Sequence, residues 1–239
     1  MDSVTELFAE LTHRVLTEHQ AFDSRRNPLL RAEDALGPDA LSYVAVQYSA
    51  FPKCIVDILL TAQAALREWP LVAAELARNV AEEQGSESGG RSHYDLFRSG
   101  MIEEYRLDPE AVPPAAATGH FLKGCFSAVS STTEATAAGA IYAIEAVSAA
   151  ELTIVRDLMN ALSLARHGRP LPSKSTLGQF FEAHIDAFEP GHELGLRITI
   201  QRYIALQETR SLFAEGFDSM LTMMDRWWNG LARETISSR

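Results

Sequence analysis

Apolar residues recur at helical spacing along most of this chain, and this pattern constrains the fold more than any other feature. Residues 3–20 are a clear example, with Ser3 as a predicted N-cap and apolar side chains every three or four positions after it. Alternation of apolar and polar residues, which is typical of strands, is rare. The pattern predicts an all-α fold of about seven to nine helices, which form one domain over residues 1–239.

Proline and glycine divide the helical pattern at a few places. Pro52 lies in a long apolar run and is expected to kink it or to divide it into two helices. Paired glycines within residues 86–92 predict a break, and residues 166–175 predict a loop. The sequence after that loop predicts helices over 176–189 and 193–230.

Composition and charge exclude several classes of function. The formal net charge is −11 and the 21 Lys and Arg residues are scattered, so a nucleic-acid-binding surface is not expected. The N-terminal residues lack the features of a signal peptide, and no uncharged apolar stretch reaches about 18 residues. We therefore expect a cytoplasmic protein that does not span a membrane. Cys54 and Cys125 predict buried thiols in a reducing compartment, not a disulfide framework.

The segment FFEAHIDAFEPGHELGL carries two histidines and a glutamate in an apolar, helical pattern. His184, Phe188 and His192 are spaced by four, which places both imidazoles on one helix face. Glu189 is rotated off that face on an ideal helix. Pro190, however, must kink or bulge the helix, and a π-bulge would turn Glu189 back towards the histidines. The alternative is a helix end at Pro190, with His192 as a cap of the next element.

Two upstream segments offer ligands of the same types. His93 follows the pair Glu82 and Glu83 across the glycine-rich break, and either carboxylate is a candidate while the other faces solvent. Glu145 lies in an almost wholly apolar stretch, where a carboxylate must be paired, protonated, bound to a cation or turned to solvent. Glu151, six residues later, is expected on a solvated face. Imidazole and carboxylate together suit iron, manganese or zinc, so the three segments predict a buried metal site.

These segments resemble, in type and in order, the haem-oxygenase-like di-iron oxidases, which are relatives of the TenA thiaminases and the PqqC-type oxidases. The resemblance covers roughly residues 40–200 and rests on QYSAFPK, EEQG with a following histidine, AIYAIEA and HIDAFEPGH. The last segment is one residue longer than the family's His-x3-Asp/Glu-x2-His, and the interval after EEQG is also stretched. Glu82 and Glu83 therefore remain alternatives, as do Glu189 and Asp186.

The resemblance implies a helical bundle that encloses two iron ions, which change between Fe(II) and Fe(III), with O2 as co-substrate. A peroxo di-iron(III) species would oxidise a small-molecule substrate. The implied reaction is N-oxygenation of a small amine or amino acid in specialised metabolism, with oxidative C–C cleavage of an amino or fatty acid as the alternative. An external electron donor and a homodimer are compatible with this assignment.

The residues and the resemblance together define a set of candidate site residues. The candidate metal ligands are Glu82 or Glu83, His93, Glu145, His184, Glu189 or Asp186, and His192, with Asp57 as a further ligand or substrate contact. The candidate substrate contacts are Tyr48, Lys53 and Tyr142. Two other hypotheses stay open: a metal-free relative of the TenA or PqqC type with Cys54 or Cys125 as nucleophile, and a non-enzymatic helical interaction protein with structural histidines.

Overall fold

A computed structural model of the protein describes residues 3–236, and ten α-helical segments lie in that range. In chain order they are α1 (Val4–Glu18), α2 (Pro38–Tyr48), α3 (Ala50–Ala65), α4 (Pro70–Glu83), α5 (His93–Tyr105), α6 (Ala116–Val129), α7 (Glu134–His167), α8 (Thr176–Ala183), α9 (Glu189–Ile200) and α10 (Gln207–Ile236). Ser49 alone separates α2 from α3, and a π turn at His184–Phe188 joins α8 to α9, so the ten segments form eight helical rods. The described residues contain no β-strand, which confirms the all-α prediction.

Local sequence signals set several of the helix ends. Ser3 and Glu6 form a capping box at α1: Ser3 Oγ accepts a hydrogen bond from the Glu6 N–H at 3.2 Å, and Glu6 Oε2 accepts one from the Ser3 N–H at 3.0 Å. Pro52 lies in the first turn of α3, where a missing N–H is tolerated. The chain therefore divides just before Pro52, as predicted.

The prediction that residues 193–230 are helical is confirmed except at one turn, which divides the range between α9 and α10. The chain turns at residues 201–206, which contain neither proline nor glycine and so give no local signal. Tertiary contacts hold this turn: the rings of Trp69 and Tyr203 stack with centroids 4.9 Å apart, and the Leu71 N–H donates to the Tyr203 hydroxyl at 3.2 Å. The turn reverses the chain so that α10 can pack along α7.

The longest helix, α7, is buried along most of its length and pairs most extensively with α10. Glycines permit the close approach of the two backbones, because a Cβ on Gly139 would overlap the carbonyl oxygen of Phe213, and one on Gly216 would overlap that of Thr136. On its other side α7 contacts α9, which also packs on α4, while α5 packs against α8. The helices that carry the candidate ligands are therefore neighbours.

Replacing Gly139 with alanine is expected to lower the free energy of unfolding by about 2–3 kcal/mol, because the new methyl group must push α10 away from α7. The matched control is Gly119→Ala in α6, where a Cβ would meet nothing within 4 Å. That change is expected to raise the stability by up to about 1 kcal/mol, since alanine is the better helix former. Urea denaturation of both variants tests this, and equal stabilities would contradict the close packing.

Two helical stretches, Pro38–Ala65 and Glu134–His167, are long and apolar enough to cross a membrane by length and composition alone. Within the described residues, half of the first apolar window and 72% of the second are buried inside the bundle. Core helices of folded proteins meet the same criterion, so these two stretches are weak support for a membrane span.

Candidate metal centre

Six buried side chains, three carboxylates and three imidazoles, meet between α4, α5, α7 and the α8–α9 segment. They form two groups, and within each group the potential ligand atoms lie within 4.8 Å of one another. The first group is Glu83, His93 and His184, and the second group is Glu145, Glu189 and His192. No member is more than 8% exposed. The three segments that the sequence predicts to carry ligands thus converge in one place.

A π turn allows one short segment to supply three of these side chains. The Glu189 N–H donates to the carbonyl oxygen of His184, five residues back, which is the hydrogen bond that defines a π turn. Pro190 follows at once in α9, and its ring would clash with the preceding turn of a regular helix. As a result His184, Glu189 and His192 are buried, whereas Asp186 is exposed and joins neither group. The predicted π-bulge is confirmed, and the alternative of a helix end at Pro190 is wrong.

Ring nitrogens in the first group are buried without hydrogen-bond partners. His184 Nδ1–H donates to the Phe180 carbonyl oxygen at 2.7 Å, which leaves the buried Nε2 unpartnered and available as a ligand. Both ring nitrogens of His93 lack a hydrogen bond, although Nδ1 lies 3.1 Å from Glu83 Oε1. Burial and the charge of His93 lower the pKa of His184 to about 4, so its imidazole is neutral near pH 7. Buried polar atoms without partners are rare, and coordination of a cation would satisfy these.

In the second group, a carboxylate outside the group orients the imidazole. His192 Nε2–H donates to Glu82 Oε2 at 2.9 Å, and Nδ1 lies 3.4 Å from Glu145 Oε2 and 3.9 Å from Glu189 Oε2. A carboxylate on the far ring nitrogen is the usual outer partner of a metal-bound histidine. The expectation that one member of the acidic pair faces solvent is therefore wrong: Glu83 belongs to the first group, and Glu82 supports the second.

The second group concentrates negative charge and favours a cation. Burial, together with the charges of Glu145 and Glu83, raises the pKa of Glu189 well above its usual range. Burial lowers the pKa of His192, but the hydrogen bond and charge of Glu145 and the charge of Glu189 outweigh it and raise that pKa to about 10. A divalent cation would take the place of the proton on His192 Nδ1. The carboxylates of both groups, Glu83, Glu145 and Glu189, together with that of Glu82, carry a formal charge of −4 when all four are ionised. This charge balances two divalent cations.

Replacing Glu82 with alanine is expected to weaken metal binding at the second group by about 10–100-fold, because His192 loses the carboxylate that orients it. The number of bound ions at saturation should not change. The matched control is Glu75→Ala on the same helix. Glu75 and Glu82 both pair with Arg78, but only Glu82 also pairs with His192. Competition with a chelator measures both affinities, and equal losses in the two variants would contradict this role.

A cavity of about 50 Å³ opens beside the two groups. Every member of both groups except His192 contributes to its wall. The remaining wall is mainly apolar or aromatic, with Tyr48, Phe51, Ile55 and Phe180 among its residues. Such a cavity admits a few non-hydrogen atoms next to the candidate ligands.

Three other sequence-predicted residues lie away from this cavity. Asp57 and Lys53 are four residues apart on the exposed face of α3, and Lys53 pairs there with Glu110 at 3.0 Å. Tyr142 packs its ring edge-on against Phe8, and its hydroxyl donates a hydrogen bond to Glu193 Oε1 on α9 at 2.5 Å. None of these three residues lines the cavity, whereas Tyr48, the third predicted substrate contact, does.

The expectation that Glu151 lies on a solvated face is also wrong. Its side chain is 1% exposed, it lines the cavity, and its Oε1 accepts a hydrogen bond from Trp228 Nε1–H at 2.8 Å. The sequence contains a signal for this burial, because Leu152, Ile154 and Val155 surround the glutamate with apolar positions on α7. Glu151 lies on the side of α7 that its neighbours cover, whereas Arg156 and Asp157 of the same helix are partly exposed.

The two cysteines are free thiols, as predicted. Cys125 is buried with its Sγ 3.8 Å from the Met220 sulfur, and burial raises its pKa. Cys54 is half-buried, and burial followed by the charge of Asp57 raises its pKa as well. Raised pKa values disfavour the thiolate that a nucleophile needs, and neither thiol lines the cavity. These positions give no support to a thiol-dependent, metal-free reaction.

Solved structures of related proteins have the same fold. A crystal structure of a CADD-like protein of unknown function from Nostoc punctiforme matches with a TM-score of 0.89 and 33% identity, and the match covers 98% of both chains. A second crystal structure of that protein gives a TM-score of 0.88 and 34% identity over 99% of this chain and 97% of the other. A TenA homologue from Pseudomonas syringae is 14% identical, with a TM-score of 0.64 over 95% of this chain and 90% of its own. That likeness concerns the fold alone, and it agrees with the predicted haem-oxygenase-like bundle.

Sequence comparison extends these relations. A 4-chloro-allylglycine synthase from Streptantibioticus cattleyicolor is 28% identical over 170 residues, or 70% of this chain, and the match spans 60% of the synthase. The model of a family described as a domain of unknown function with a solved structure, DUF3865, matches residues 5–234. This match covers nearly all of the described helices, and the Nostoc relative shares them. The chain therefore belongs to the DUF3865 family of CADD-like proteins.

Proposed function

We propose that the protein is an O2-dependent non-haem di-iron oxygenase that acts on a small amine or amino acid in specialised metabolism. One observation carries the proposal: two adjacent buried groups of glutamate and histidine face a single cavity, and some of their ring nitrogens have no other partner. The donor set of three carboxylates and three imidazoles suits iron, and helical bundles build di-iron sites from such residues on facing helices. An amino acid substrate is supported by the name of the Streptantibioticus cattleyicolor relative.

Two irons in these groups would supply the electrons that activate O2 for oxidation of a substrate in the cavity. The side chains of this protein then have separate tasks. Glu83, His93 and His184 hold one ion, while Glu145, Glu189 and His192 hold the other. The mainly apolar wall of the cavity would limit the access of water, which would protect a reactive oxidant from side reactions.

N-oxygenation of an amine is the leading reaction, on the strength of the resemblance to the di-iron oxidases. Oxidative C–C cleavage is the second candidate, and one observation favours it. The product in the name of the Streptantibioticus cattleyicolor relative has an alkene and no N–O bond. Product analysis with 18O2 separates the two, because N-oxygenation retains the label on nitrogen and C–C cleavage leaves the product amine unlabelled.

Anaerobic Fe(II) titration followed by exposure to O2 tests the proposed function. Two equivalents of Fe(II) per chain should bind, and O2 should then produce a transient visible absorption. The variants His184→Ala and Glu145→Ala should abolish the absorption, whereas the surface control Asp57→Asn should retain it. A protein that binds no iron, with both site variants as stable as the wild type, would instead indicate structural histidines or a metal-free enzyme.

A further inference from the structure

One acidic side chain in the cavity belongs to neither ligand group. Glu151 on α7 is 1% exposed and lines the same cavity as the candidate ligands. Its carboxylate accepts hydrogen bonds from the indole N–H of Trp228, at 2.8 Å, and from the hydroxyl of Tyr48. Among the described residues, no lysine, arginine or histidine forms an ion pair with it. Glu151 is thus a buried acid whose neighbours donate hydrogen bonds but supply no positive charge.

A buried carboxylate in this state has unused capacity for a cation. Two oxygens offer about four acceptor positions, and the two donors from Trp228 and Tyr48 occupy only two of them. Burial raises the pKa of Glu151 to about 7 even though both donors favour the ionised form. An ionised carboxylate in an apolar interior is costly unless a positive charge accompanies it, so a cationic ligand would be stabilised here.

The position of Glu151 relative to the ligand groups suits one end of a substrate. It lies six residues beyond Glu145 on the same helix, which is about 9 Å along the helix axis. Phe51, Ile55 and Leu152 line the same cavity and offer apolar surface to a short carbon chain. A small molecule with its cationic end at Glu151 would therefore extend its carbon skeleton towards the two ligand groups.

We propose that Glu151 binds a protonated amino group of the substrate other than the group that is oxidised, so that the enzyme selects primary alkylammonium compounds and holds their carbon chain towards the metal groups. This inference rests on the proposed function insofar as it takes the cavity to be the substrate site. It assigns Glu151 a role in binding and orientation, in which no bond is made or broken at its carboxylate. Trp228 and Tyr48 position the carboxylate through their hydrogen bonds.

Binding of simple probes tests the assignment. The protein, as purified and after anaerobic Fe(II) loading, is titrated with n-butylammonium, with n-butanol and with butyrate. Calorimetry and tryptophan fluorescence report binding, since the Trp228 indole touches the carboxylate.

The ammonium should bind at least tenfold more tightly than the alcohol, and butyrate should bind more weakly than either. In Glu151→Gln the ammonium affinity should fall at least tenfold while that of the alcohol changes less than twofold. Glu134→Gln, on the same helix but outside the cavity, should behave like the wild type.

Each contrary outcome overturns the assignment. Equal binding of ammonium and alcohol by the wild type would do so without any variant. Equal loss of both probes in Glu151→Gln would show a structural role only. Iron content is measured in the same samples, so the two proposals fail separately. Ammonium selectivity without iron binding would retain the Glu151 site and reject the di-iron function. Iron binding without ammonium selectivity would reject the Glu151 site alone.

Discussion

Replacing Glu189 with glutamine is expected to reduce the bound iron from two ions per chain to one. Glu189 is a member of the second group, and the amide is a far weaker ligand than the carboxylate.

The same change should raise the free energy of unfolding of the metal-free protein by about 1–3 kcal/mol. The reason is that burial and the charges of Glu145 and Glu83 act against an ionised Glu189. Colorimetric iron analysis and urea denaturation in the presence of a chelator measure the two effects.

The opposite signs of these effects make the prediction specific, since a variant that is merely misfolded would lose both iron and stability. The matched control is Asp186→Asn, which alters an exposed acid within the same π turn. It should retain two irons and the stability of the wild type. Loss of iron in Asp186→Asn but not in Glu189→Gln would instead assign Asp186 as the ligand and would contradict the described π turn.

Anaerobic Fe(II) is expected to raise the thermal unfolding midpoint by about 10 °C or more. Each site contributes about 2.7 kcal/mol when free iron is 100-fold above its Kd, and a protein of this size gains about 2–4 °C per kcal/mol. The physical cause is the relief of repulsion between buried carboxylates and the coordination of ring nitrogens on His93 and His184 that lack partners. Differential scanning calorimetry with and without a chelator measures the shift.

The control for this shift is the double variant Glu145→Gln with His184→Ala, which damages both groups. It should show less than a quarter of the wild-type shift. Mg²⁺ should also have little effect, because imidazole ligands disfavour it. An equal shift in the double variant, or with Mg²⁺, would indicate iron binding to surface acids and would contradict the buried site.

The helical pattern and the ligand-bearing segments could be predicted from the sequence because both depend on short-range spacing. His184, Glu189 and His192 lie within one segment, and the constraint that Pro190 places on the backbone is local chemistry. The π turn follows from that constraint together with the need to bury a carboxylate beside two imidazoles. Glu145 could be identified because its surroundings on α7 are apolar in the sequence itself.

The rest of the site depends on contacts between distant segments, which leave no local pattern. Glu82 and Glu83 are adjacent, and only the packing of α4 on α9 decides which one orients His192. Lys53 follows Tyr48 by five residues, yet the packing of α3 turns it to solvent. The burial of Glu151 depends on Trp228, which lies 77 residues further along the chain. Predictions failed where the exposed and buried faces of a helix are set by its tertiary neighbours.

X-ray diffraction at the iron absorption edge, from crystals grown anaerobically with Fe(II), tests the central claim most directly. The account predicts two anomalous peaks inside the bundle. One should lie among Glu83, His93 and His184, and the other among Glu145, Glu189 and His192. Peaks only at surface acids, or no peak beside the cavity at saturating iron, would contradict a di-iron centre in this protein.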